Sequence, residues 1–466
     1  MVPFFPKPIS NKGFLLYVIS MVTVSLVFFN YAIGVEWILV GSIEVAVFFL
    51  VAASLTQQWQ RIPANFYTRY LFWLALVLRV VWVVFSYYFY LDQTGKPFEF
   101  DAADSVAYHA DAEWLAVASW ESVFDYLFVN RSGYSDSGYL LYLAFLYRLI
   151  GPNILVARLM KALYGAITCL LIYRLTRRMA GESTGRMAGV FAMLMPNLIN
   201  YCGLHLKETE MLLLIVFFLE RSDYVLRNDK VKVLDVIIPV LIGVSLFLFR
   251  TVLGAVALFS FVTGLVFYRG NVAAKRRRIV IILWSVFAMA YFTGGTIINE
   301  VEEVWQEKDW NQDVKREAQT SQGNLWAKYA TGTVMAPMMF VLPFSTFVDT
   351  GQQNQLVMHG GNYVRNFMGV FVLIALYSAV FLKKNWRDFV LIGAFAAGYL
   401  GVVSFSGFSN SERFLLPGLP CLIVFWAYGV SLLGAKSYRF VRYWYWVVLA
   451  MEVGWAFFKI GSRGLL

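Results

Sequence analysis

Cysteine and histidine are scarce here: each occurs three times in 466 residues, and neither is clustered. Cys169, Cys202 and Cys421 stand alone within or at the ends of apolar runs. That pattern excludes a disulfide framework, a CxxC redox couple and a cysteine zinc site, and leaves packing as the expected role. Charge is scarce too, at 15% of residues. The formal net charge of +10 is spread over short clusters between apolar runs, among them "RLTRRMAGESTGR", "RNDKVK", "RGNVAAKRRR", "KKNWR" and "KSYRFVR". Basic clusters so placed mark cytoplasmic loops and not a nucleic-acid surface. Internal repeats and low-complexity tracts are absent, which weighs against the many transporter folds built from repeats with paired broken helices. The opening "MVPFFPKPISNKG" has no small-residue cleavage site and is expected to lead into an uncleaved first helix.

What is present is hydrocarbon-soluble sequence: 59% of residues are hydrophobic and 18% aromatic. Apolar runs of roughly 20 residues, the length that crosses a bilayer, recur about thirteen times. The fold class expected is an all-α polytopic membrane bundle. Taking basic clusters as cytoplasmic divides the chain into N-terminal transmembrane helices (1–92), an extracytoplasmic loop with juxtamembrane helices and an acidic motif (93–153), a transmembrane core (154–298), a second extracytoplasmic loop (299–364) and C-terminal transmembrane helices (365–466). One feature resists that scheme. Lys459 and Arg463 fall on the outer side, against the charge bias, which would suit a re-entrant or interfacial last helix.

The acidic motif is "FEFDAADSVAYHADAEWLA", residues 98–116, with five carboxylates and a histidine in nineteen positions. At helical spacing Asp101, Asp104, Tyr108 and Asp111 share one face, while Ala107, Ala110, Ala112, Leu115 and Ala116 supply small and apolar neighbours. Taken alone, such a stripe is a solvated face. On the same side of the membrane, however, fall His109, His205, His359, Arg131, Lys207, Glu208, Arg250, Arg365 and Arg413, several of them at the ends of apolar helices. Ionisable groups at that depth face a cavity or a partner charge, because exposure to lipid is costly. Cations there would hold an anionic lipid phosphate, with arginine as the planar bidentate partner. A carboxylate nearby could take the proton of an attacking hydroxyl. Together these groups suit glycosyl transfer from a lipid-linked sugar.

The pattern "DSVAYHADA", the stretch "GYLLYLAFLYRLIGPNILVARLMKALYG" through "NYCGLHLKETEMLLLIVFFLE", and the late "SERFLLPGLPCLIVFWAYG" resemble the GT-C superfamily of polyprenyl-phosphate-sugar-dependent glycosyltransferases, especially its protein O-mannosyltransferase and lipid A aminoarabinose-transferase branches. The resemblance covers residues 98–225 and the late segment. It implies a GT-C-like bundle and an inverting transfer, outside the membrane, from a polyprenyl-phosphate sugar to a lipid, glycan or protein acceptor. Asp104 matches the family's catalytic or acceptor-orienting aspartate, with Asp101 as second choice. Tyr108 would support the helix or the sugar, Lys207 and Glu208 match the acidic start of a family helix, and Arg413 matches a phosphate-binding position. Arg250 and Arg365 join the set on depth and charge alone. The chain departs from the family in placing the aspartate loop after its third helix, and "DAAD" is neither an adjacent acidic pair nor a DxD. Some relatives bind a divalent cation, for which "DAAD" and His109 are the available ligands. The expected location is a bacterial inner membrane, with the active site on the extracytoplasmic face.

Two other readings place function elsewhere. A polysaccharide polymerase or ligase, using a polyprenyl-pyrophosphate-linked glycan, would rest on His359 and Arg365 in the segment ending "HGGNYVRN". A lipid-linked glycan flippase or transporter would need charges along a path to both faces, and beyond Glu452 the cytoplasmic half offers few.

Overall fold

The structure is a computed structural model that describes residues 3–130, 136–268, 279, 336–405 and 411–461. Among these residues the chain is helical throughout, without a strand; one isolated bridge joins Ala32 to Val348. Six helices are long and apolar enough to cross a membrane: Lys7–Val27, Val35–Arg61, Ala64–Thr94, Ile154–Ala180, Gln353–Leu382 and Glu412–Ser431. This is an all-α integral membrane protein. Shorter apolar helices, Ser137–Ile150, Val233–Leu248, Thr251–Phe267 and Val390–Ser404, accompany them, so the expected count of thirteen crossings is not established. The crossing expected at 279–298 lies, except for residue 279, outside the described residues.

The Ile154–Ala180 helix is the axis of the bundle, packed between Ala64–Thr94, Glu182–Leu194 and Glu208–Arg227. Its polar residues mark two levels. Arg158 and Lys161 sit near one end, and Arg178 near the other pairs with Glu220 at 2.6 Å and Asp223 at 2.9 Å. Twenty residues of helix separate Arg158 from Arg178, about 30 Å at 1.5 Å per residue, which matches the hydrocarbon thickness. Buried ionisable side chains thus stand at both ends of the helix.

Breaks in the helices are satisfied from within. Pro196 stops the Glu182–Leu194 helix by removing a donor. The carbonyls left over at Ala192 and Met193 accept from the guanidinium of Arg79, at 3.1 and 3.3 Å, in the middle of a membrane helix. Close approach elsewhere depends on glycine: a Cβ on Gly429 would stand 2.1 Å from the Phe371 carbonyl oxygen, and one on Gly41 2.1 Å from His359 Nε2.

Two boundaries differ from the expectation. The acidic helix is Ala103–Val117, and Asp101 lies in the turn before it with φ 51°, its carbonyl accepting from the Ala103 N–H at 2.9 Å. The buried face of that helix is Ser105, Tyr108, Ala112 and Leu115, so Tyr108 turns to the bundle while Asp104 stays exposed. The helix expected from 366 begins at Gln353. His359 and Arg365 therefore stand inside a membrane helix, and the end of the expected 299–364 loop is helical.

Candidate functional site

A cavity of about 540 Å³ opens where five segments meet: the acidic turn at 99–104, the Tyr201–Leu206 segment, the Pro343–Thr346 segment, the start of the Gln353–Tyr377 helix, and Ser411–Arg413, with Trp455 and Lys459 completing the wall. That volume falls in the ordinary range for a small-molecule site. Asp101, Asp104 and Arg413 line it, as do Glu99 and Glu412.

Asp104 occupies the first turn of its helix, and its Oδ2 accepts from Arg413 Nη1. The same guanidinium donates through Nε to Glu208 Oε1 at 2.5 Å. Arg250 Nη2 is 3.8 Å from that oxygen and its Nη1 donates to the Tyr399 hydroxyl at 2.8 Å. Lys207, next to Glu208, pairs with Asp136 and donates to the Phe249 carbonyl at 2.7 Å. Tyr108 donates to Asp136 Oδ2 at 2.9 Å. Six residues read from sequence as site candidates, Asp104, Tyr108, Lys207, Glu208, Arg250 and Arg413, thus form one cluster. Its charge balances: Asp104, Asp136 and Glu208 against Lys207, Arg250 and Arg413. Burial is graded across it, from Glu208 at 0% exposed to the Asp104 side chain at 56%.

Burial also acts on the hydroxyl of Tyr108, pushing it up to about 12, so at neutral pH it is a donor and not a base. His109 and His205 lie beside the cluster and outside the cavity lining. They share the Tyr147 hydroxyl, His109 Nδ1 at 2.9 Å and His205 Nε2 at 3.3 Å, and hold the juxtamembrane helices to the core. Desolvation keeps both imidazoles below their usual range, and therefore neutral at pH 7. His109 does not turn toward Asp101 and Asp104. Among the described residues no group of three or more histidine, cysteine or acidic side chains could hold a metal ion, so the set suggested by "DAAD" and His109 does not assemble there.

Other candidates lie apart. His359 Nε2 meets the Tyr17 hydroxyl at 2.9 Å and its Nδ1 the Leu356 carbonyl at 2.6 Å, fully buried in the bundle. Arg365 is 2% exposed and reaches the Met339 carbonyl at 3.4 Å. Neither lines the cavity. Arg131 lies outside the described residues.

Sequence reading passed over the carboxylates that complete the cavity. Glu99 is 7% exposed, accepts from Ser105 Oγ, and has Oε2 4.0 Å from Arg158. Glu412 accepts from Asn197, which also donates to Asn362 at 3.1 Å. Below them Asn200 donates to Glu44 Oε1 at 2.8 Å. The available signal was position: Glu99 begins the acidic motif, and Glu412 directly precedes Arg413.

No family model matches the chain, and no curated protein does. Among solved structures the chain is similar to the apo form of the oligosaccharyltransferase of Archaeoglobus fulgidus, with a TM-score of 0.41 and 14% identity over 78% of this chain and 55% of that one. The chain spans about half the length of that protein. A likeness at that level assigns no activity, and function is argued below from the site.

Proposed function

We propose that the chain is a GT-C-type membrane glycosyltransferase that moves a sugar from a polyprenyl-phosphate donor to an acceptor hydroxyl on a lipid, glycan or protein. The observation that carries this reading is an exposed carboxylate, Asp104, held at a cavity mouth by a guanidinium that is itself fixed by the buried Glu208. In the proposed step the acceptor oxygen attacks the anomeric carbon from the face opposite the phosphate and the configuration inverts. The bond from that carbon to the phosphate oxygen breaks, its electron pair stays on the phosphate, and the acceptor proton passes to Asp104. The leaving group changes from a phosphodiester monoanion to a phosphomonoester dianion. A cation beside it therefore replaces a general acid. Five N–H donors make the Arg413 guanidinium able to serve a phosphate oxygen while it orients Asp104.

Position supports the extracytoplasmic face: the cavity lies at the end of the bundle opposite the basic loop between residues 174 and 186. A bacterial inner membrane is the location proposed. The polymerase reading has less support, since its two residues, His359 and Arg365, are packed into the bundle away from the cavity.

The test is transfer from a panel of radiolabelled prenyl-phosphate monosaccharides to membrane acceptors by purified protein. Asp104→Asn is expected to lose transfer by about a hundredfold to ten-thousandfold while donor binding persists. Normal turnover by that variant would remove Asp104 from the mechanism.

A further inference from the structure

The cavity runs inward along the Gln353–Tyr377 helix. Asn354 donates to the Phe100 carbonyl at 2.6 Å, which ties the start of that helix to the acidic turn. Asn362 stands eight residues on, about 12 Å at 1.5 Å per residue, and both asparagines line the cavity. A polar side chain that deep faces a partner or a cavity. Asn362 is 6% exposed, and Glu412 lines the same space from the start of the Glu412–Ser431 helix.

One amide holds both. Asn197, 2% exposed in the short Pro196–Asn200 helix, donates through Nδ2 to Asn362 Oδ1 at 3.1 Å and to Glu412 Oε1. Gly361 lets it in, since a Cβ there would stand 2.3 Å from Asn197 Oδ1. Three residues on, Asn200 donates to Glu44 Oε1 at 2.8 Å and to the Met358 sulfur at 3.4 Å, which anchors the short helix to both of its neighbours.

The direction of these bonds decides what the pair can offer. Oδ1 of Asn362 already accepts, so its Nδ2 is the group left to donate; Oε1 of Glu412 already accepts, so Oε2 is the oxygen left. Among the described residues neither of these two atoms has a hydrogen-bond partner. The charge of Arg365 acts on Glu412, while that guanidinium's own bond goes to the Met339 carbonyl. One hydroxyl that donates and a neighbouring hydroxyl that accepts are what adjacent carbons of a sugar ring present. Building on the transferase reading, we propose that Glu412 and Asn362 are the sugar-recognition pair of the site, and that the donor sugar carries two adjacent free hydroxyls, one donating to Glu412 and the other accepting from Asn362. Arg413 directly follows Glu412, so consecutive side chains address the phosphate and the sugar. A site whose polar groups are aimed at substrate hydroxyls rejects analogues that lack them, because those groups are then left unpaired.

The experiment is calorimetric titration of the purified protein with farnesol, farnesyl phosphate and the farnesyl phosphate esters of mannose, glucose, galactose and xylose, followed by the single-deoxy analogues of whichever ester binds best. Wild type is expected to bind that ester about tenfold or more tighter than farnesyl phosphate, and to lose most of the difference when either of two adjacent hydroxyls is removed. Glu412→Gln should lose about tenfold for the full ester and become indifferent to one of those deletions. Asn362→Ala should become indifferent to the other, and both variants should keep their affinity for farnesyl phosphate. Variants that weaken every ligand alike, with the sensitivity to each deletion unchanged, overturn the pair. So does a wild type that binds no ester better than farnesyl phosphate; its preference for farnesyl phosphate over farnesol would then leave the transferase reading standing. A wild type that also fails to distinguish farnesyl phosphate from farnesol overturns both.

Discussion

Arg413 and Asp104 touch one another, yet their removal should have opposite consequences for stability and chemistry. Glu208 is fully buried and relies on the Arg413 Nε bond at 2.5 Å, with Arg250 Nη2 farther off at 3.8 Å. Removing one partner of a buried pair costs about 3–5 kcal/mol, because the other charge is left without compensation. Arg250 relieves part of that, so Arg413→Gln should destabilise by about 2–4 kcal/mol. Asp104 is 56% exposed on its side chain, and an ion pair so placed is worth about 1 kcal/mol or less. Asp104→Asn should therefore unfold close to wild type while losing transfer. The assay is built into the chain: Cys169, Cys202 and Cys421 are all buried. A thiol-reactive fluorophore added during a thermal ramp in detergent reports unfolding directly. Asp104→Asn unfolding as early as Arg413→Gln would make the aspartate a structural residue. Arg413→Gln unfolding with wild type would refute the account of Glu208.

Arg79→Leu leaves the carbonyls of Ala192 and Met193 without donors inside the membrane, at about 1–3 kcal/mol for each group; the same dye should react at lower temperature. Gly429→Ala places a Cβ 2.1 Å from the Phe371 carbonyl oxygen and should cost about 1–3 kcal/mol in the melt, whereas Gly454→Ala meets nothing within 4 Å and should be neutral. Tyr108→Phe removes the 2.9 Å bond to Asp136 and should cost about 0.5–1.5 kcal/mol. Because burial keeps the Tyr108 hydroxyl protonated to about pH 12, the pH profile of transfer up to pH 9 should be the same in Tyr108→Phe and wild type, and an altered profile would refute its role as a donor.

The membrane class was legible because lipid-facing sequence must be apolar, and the charged residues at helix ends were legible because few other charges exist. Five of them, with Tyr108, meet at one cluster, brought together from four separate parts of the chain. What hydropathy hid is polar sequence buried by protein instead of water. The run "QNQLVMHGGNYVRN" reads as an external loop, yet it forms the first half of the Gln353–Tyr377 helix. Its Asn362 meets Asn197, its Tyr363 donates to the Gly13 carbonyl at 2.9 Å, and its glycines admit neighbouring helices. These partners lie inside the bundle, so a polar run of this kind can be buried by protein. Asp101 was misplaced for a different reason. Helical spacing carried it onto the face of Asp104, but a residue at φ 51° ends that continuity before the helix begins.

Helix ends bear on how the buried part of the cluster holds together. Glu208 is the first residue of its helix, where the N-terminal dipole favours a carboxylate. Arg250 is the N-cap residue of Thr251–Phe267, and Arg413 sits in the first turn of the continuous Glu412–Ser431 helix, where the same dipole disfavours a cation. Two guanidiniums held at unfavourable ends need a fixed anion between them, and Glu208 supplies it from the first turn of its own helix, where a carboxylate is favoured. Asp104 is the second anion, reached from the surface and hydrated on its open side. On the proposed reading a donor phosphate approaches guanidiniums whose charge is already balanced, so it competes with the exposed carboxylate more than with the buried one. On that reading the two acids do different work: Glu208 keeps the cations in place, and Asp104, the more exposed of the two, takes the proton.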